Sequence, residues 1–169
     1  MSILEWLGFS SRQPEADDDA IRRIARELDA LEPARARYLA LFAFLLARVA
    51  NVDQDVSEAE TAAMEELVRS HGHLPPAQAT LVVQIAKAQH RLFGETWNHL
   101  ATRELRDICA EDEKRELLQC LFAVAAADDV ITVQEEEAVR QVANGLVITH
   151  ADYVAIRSMY RDKRSVFKT

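Results

Sequence analysis

The chain has 169 residues, 49% of them hydrophobic, and a formal net charge of −8. It is long enough for one domain with a real core, and its charge excludes nucleic acid as a partner, because phosphate binding needs a basic face. No run approaches the roughly 20 uncharged apolar residues of a membrane span, and four Gly and four Pro beside plentiful Ala, Leu, Glu and Arg make a helical composition.

Residues 1–16 read as an N-terminal extension and linker. The opening, from Met1 to Phe9, is apolar but short, and it lacks the basic start and cleavage site of a secretory leader, so the expected location is cytoplasmic. Peripheral membrane association through this segment stays open, although its polar face lacks the basic residues usual for an interfacial anchor. A helical domain is predicted over 17–169. Its first helix starts at the acidic Asp17-Asp-Asp19, sets Ile21, Ile24, Leu28 and Leu31 on one face, and ends at Pro33. From Ala34 to Val52 the apolar residues wrap nearly all round, which predicts a central helix buried on every side.

The next helix runs from Ser57 to Arg69 with Met64, Leu67 and Val68 inward. His71-Gly-His-Leu-Pro-Pro76 breaks it, and Pro76 suits the first turn of a helix reaching about His90. After Gly94 another helix carries Leu100, Leu105 and Ile108. Glu111 to Ala127 repeats the all-round apolar character, and helices over 132–146 and from Thr149 to about Lys163 complete the chain. No segment alternates long enough for a strand, so the predicted fold is all-α, with seven to eight helices. The last stretch is basic: Arg157, Arg161, Lys163, Arg164 and Lys168 oppose only Asp162, a composition that reads as a solvated helix end.

One pattern occurs twice, once in each half of the chain. Leu46 to Glu60 and Leu121 to Glu135 share an apolar helical run, an Asp (Asp53, Asp128), a β-branched residue three later (Val56, Ile131), a hydroxyl residue (Ser57, Thr132) and a Glu three beyond it (Glu60, Glu135). So many typed matches predict an internal duplication with a pseudo-twofold, its units at about 36–90 and 111–160. Two readings of the repeated turn stand side by side. Ser57 with Glu60, and Thr132 with Glu135, are capping boxes, in which the hydroxyl accepts from the N3 amide and the Glu accepts from the cap amide. Capping does not account for the aspartates, which sit at the negative end of a long helix. Asp53, Asp55, Glu60, Asp128, Asp129 and Glu135 are therefore also candidate ligands for a divalent cation, and hard oxygen donors match calcium, magnesium or manganese. The Asp53-x-Asp55-x-Ser57 run is not an EF-hand, because Glu58 stands where Gly is required and Met64 where a bidentate Glu belongs.

These residues resemble a known family. The pattern Ala-Asp-Gly-x-hydrophobic-x-x-x-Glu after an apolar helix, occurring twice at this separation, is similar to that of the tellurite-resistance TerB-like family, which includes the N-terminal region of membrane-anchored J-proteins. The resemblance covers roughly 36–160. It implies an all-helical, pseudo-twofold domain whose acidic turns hold a metal, with Asp53 and Glu60 matching in the first copy and Asp128 and Glu135 in the second. The family's Gly is replaced by Gln54 and by Asp129; a left-handed conformation there suits Asp129 better than Gln54.

Other residues offer less. His71-Gly-His73 lacks a third ligand, and His90, His99 and His150 have no evident catalytic partner. Cys109 and Cys120 form no CxxC and read as reduced core thiols, and Phe93 and Trp97 as core fillers. No phosphate loop, nucleophile elbow, HExxH or His-Pro-Asp tripeptide is present. The expected function is that of a non-enzymatic domain in stress response or envelope-associated assembly, binding a partner protein and a divalent cation at the acidic turns. The alternatives are a metal-dependent hydrolase built on those turns and a purely structural interaction module.

Overall fold

The computed structural model describes residues 18–50, 57–88 and 97–164. The N-terminal extension, Asp53, Asp55, His90 and Phe93 lie outside the described residues, as do the side chains of Trp97 and His99. Eight α-helices are described: α1 (Asp18–Asp29), α2 (Pro33–Ala50), α3 (Glu58–His71), α4 (Pro76–Lys87), α5 (Trp97–Ile108), α6 (Glu111–Ala125), α7 (Val133–Gly145) and α8 (His150–Ser158), followed by a 3-10 turn, Arg161–Lys163. The all-α expectation is met.

Helix α2 is the axis of the molecule. Every residue from Tyr38 to Ala47 is buried, and α1, α4, α5, α6 and α7 all pack against it, which is why its apolar residues circle the helix. Pro33 opens this helix as well as closing α1, since the first helical position needs no amide donor. Helix α6 is the second buried rod, with Leu117, Leu118, Leu121 and Phe122 fully covered by α2, α3, α7 and α8.

Helices α2 and α6 lie against each other, α3 packs on α6, and α7 packs on both α6 and α2. The ends of α3 and α7 match in detail. Each closes into a left-handed residue (His73 at φ 53°, Val147 at φ 58°), then an inward apolar residue (Leu74, Ile148), then the cap of the next helix (Pro75, Thr149).

Of Leu100, Leu105 and Ile108 only Leu105 is in the core; α5 turns Ala101 and Leu105, one helical turn apart, inward, and leaves the other two exposed. Close approach sets that face, because a Cβ on Gly145 of α7 would stand 2.6 Å from the Thr102 hydroxyl of α5. The last helix stops at Ser158 instead of running to Lys163. Tyr160 turns out of the helical path to stack on Phe122, with ring centroids 5.6 Å apart, and its hydroxyl donates to the Gln119 carbonyl at 3.3 Å.

Candidate functional site

The helices that follow the two acidic stretches start from caps of nearly the same geometry. Ser57 stands at φ −66°, ψ 162° and Thr132 at φ −70°, ψ 161°. The Glu60 amide donates to Ser57 Oγ at 3.2 Å and the Ser57 amide to Glu60 at 2.8 Å; in the second copy the corresponding distances are 3.1 and 2.8 Å. The amide and hydroxyl of Ser57 hold the Glu60 carboxyl below the usual carboxylate range. Both capping boxes foreseen in the sequence are present, and both glutamates are turned toward backbone.

The second turn is described throughout. Helix α6 closes with the Ala126 amide on the Phe122 carbonyl at 2.9 Å, and the chain reverses with the Asp129 amide on the Ala126 carbonyl at 3.0 Å. Asp129 adopts φ 65°, the left-handed conformation that a family glycine would supply at this position. Ile131 then plugs the core at 0% exposure. Asp128 is exposed, and the Asp129 side chain is 78% exposed.

The C-terminal segment folds back over this turn, which corrects its reading as a solvated helix end. The Ile131 amide donates to the Lys163 carbonyl at 2.7 Å, and Ile131 and Arg164 form a parallel bridge. Lys163 Nζ pairs with Asp129, while Arg164 makes a two-pronged bond to Glu136 at 2.7 and 2.5 Å. The Arg164 and Glu136 side chains are only 13% and 15% exposed. Arg157 Nη1 stands 3.7 Å from the same Glu136. Sequence reasoning missed Glu136, Lys163 and Arg164. A signal for them existed in the alignment of the copies: Asp129 and Glu136 are acidic where the first copy has Gln54 and Thr61, and those are the two residues that receive the tail.

The two copies share an open groove of about 350 Å³, lined by Arg48 and Val49 at the end of α2 and by Thr132, Gln134, Glu135 and Ala138 of the second copy. Arg48 also donates to Gln141 of α7 at 2.5 Å. Among the described residues no three His, Cys, Asp or Glu side chains gather closely enough to share a metal ion. At the second turn Glu135 is committed to its cap and Asp129 to Lys163, so a cation cage of six to eight oxygens is not assembled there as the turn stands. Burial lifts the thiols of Cys120 and Cys109 to about 12, so both are protonated at neutral pH and act as core residues, as expected.

Among the described residues no helix is long and apolar enough to cross a membrane. Compared with known proteins, residues 38–158 match the family model described as tellurite resistance protein TerB. No curated protein and no solved structure matches the chain.

Proposed function

The chain belongs to the tellurite resistance protein TerB family, and from that premise we propose a non-enzymatic helical module of stress response or envelope-associated assembly that binds a partner protein at its second acidic turn. The observation that carries this reading is the pair of valines on that turn. Val133 is 61% exposed at the first position of α7, and Val130 is 36% exposed one residue after Asp129. Neither exposed surface serves the core, and covering the rest of Val133 would contribute about 1 kcal/mol to a complex. The exposed carboxylate of Asp128 beside them adds charge, so the matching partner surface is apolar with a basic rim.

A photo-crosslinking residue at position 133 of the full chain tests this, with the exposed Glu27 of α1 as the control position. A discrete adduct in cells from position 133, lost in Asp128→Lys, is the expected result. Equal labelling from both positions, or none from 133, overturns the reading.

The family resemblance supports a second reading, in which the acidic turns take calcium, magnesium or manganese. At the second turn the ion would compete with Lys163 for Asp129. Caps and cations separate by mutation. Ser57→Ala and Thr132→Ala should each cost about 1 kcal/mol in chemical denaturation, independent of added metal. A bound ion would raise the melting temperature by mass action, and Asp128→Asn and Asp53→Asn would remove that rise. An unchanged wild-type melting curve in millimolar calcium, magnesium and manganese eliminates the cation.

A further inference from the structure

Just past Tyr160 the chain lies on the second acidic turn in the manner of a bound peptide. The Ile131 amide donates to the Lys163 carbonyl in a parallel bridge, the main-chain half of recognition by strand addition. Side chains supply the other half, Lys163 on Asp129 and the Arg164 fork on Glu136. These acids belong to the copy that receives the tail. In the first copy Gln54 stands in place of Asp129 and Thr61 in place of Glu136, and the Thr61 hydroxyl donates to the Ser57 carbonyl of its own turn at 2.9 Å. Anchor and strap are separate. Tyr160 is tied to the core through Phe122 and the Gln119 carbonyl, so the residues after it can lift without moving α8. The Lys163 and Asp129 side chains are 42% and 78% exposed, and a pair that wet is loosened by salt.

We propose that residues 161–164 form a strap that occupies, in cis, the docking site of an extended basic segment of the partner, and that the partner enters by displacing it. This rests on the second acidic turn being where a partner docks, and it assigns the work of that partner's basic rim. A lysine or arginine meets Asp129, an arginine fork meets Glu136, and the strand carrying them accepts from the Ile131 amide. Arginine is specified at the second place, because Glu136 already receives a planar two-pronged donor that an ammonium cannot reproduce. Arg161 and Asp162 alone join the strap to its anchor, so it acts at high effective concentration. The closed form then lowers the partner's affinity in proportion to the fraction of chains that are open. Val130 and Val133 stay exposed with the strap in place, and covering them gives a partner the contacts it needs to prevail.

The probe is a peptide of residues 158–164, Ser158-Met-Tyr-Arg-Asp-Lys-Arg164, capped at both ends. It is titrated into the full-length chain, and the Ile131 amide is followed by NMR. Lys163→Gln/Arg164→Gln, which loosens the strap, should bind with a Kd on the order of 0.1 mM, and the wild type about tenfold or more weakly. Adding Glu136→Gln should remove most of that gain. Lys163→Gln alone breaks an exposed pair and should tighten binding about threefold, which serves if the double variant does not fold. Arg140→Gln removes a positive charge from the exposed face of α7, where it pairs with Glu137, and should change binding less than twofold. Equal binding by the wild type and the strap variants, or no binding to either, would overturn the strap. So would equal binding of a scrambled peptide or an equal gain in Arg140→Gln, which would mean diffuse attraction. The titration involves neither Val133 nor a cellular partner. Peptide binding without an adduct from position 133 therefore refutes the partner reading alone, and an adduct without peptide binding refutes the strap alone.

Discussion

Phe122→Ala is expected to cost about 3–5 kcal/mol of folding stability. Phe122 is fully buried in α6, and its ring meets Tyr153 of α8 at 6.1 Å and stacks on Tyr160 at 5.6 Å. Truncation therefore removes the transfer energy of a phenyl ring and leaves a cavity among rigid neighbours that cannot all move in. It also removes the surface on which Tyr160 turns the chain back toward the acidic turn. Urea denaturation should show a lower midpoint with an unchanged slope. Phe42→Ala in α2, where the fully buried ring lies 6.0 Å from Tyr38, should cost a comparable amount without touching the C-terminal segment. A loss below about 1 kcal/mol for Phe122→Ala would show that the stack on α6 is not part of the cooperative core.

The contrast between those two phenylalanines shows what the sequence could and could not reveal. Both sit in helices whose apolar residues run all round, and that pattern alone identified α2 and α6 as the buried rods. The caps were equally legible, because a hydroxyl followed three residues later by Glu is a local signature. The left-handed turn at Asp129 was readable through the glycine it replaces. The end of α8 was not, because the stretch after Ser158 has no helix breaker. The turn there comes from Tyr160 stacking on Phe122, two helices back in the chain, a tertiary contact that overrides local preference. The docking of the tail depended on the same long-range contact. Its charge complement could be seen in Asp129 and Glu136, but only by asking how the second copy departs from the first.

The docking itself gives the second large effect. Arg164→Met should destabilise the chain by about 2–3 kcal/mol, somewhat below the roughly 3–5 kcal/mol typical of breaking a fully buried pair, because both partners keep a wet edge. The methionine retains an apolar stem beside Ile131, so the loss reports on the guanidinium and not on packing. What remains is Glu136, only 15% exposed, with Arg157 at 3.7 Å. Glu136→Gln should cost less, because an amide can still accept one of the two arginine bonds. The double variant Arg164→Met/Glu136→Gln should be more stable than the sum of the single losses by about 1 kcal/mol or more, since it leaves no isolated carboxylate behind. Additivity to within about 0.5 kcal/mol would mean that the two groups do not share an interaction, and that the C-terminal segment is held by its other contacts, among them the Ile131 bridge, the Lys163–Asp129 pair and the Tyr160 stack. Coupling of the expected size would make the second acidic turn one that this chain closes with its own basic residues.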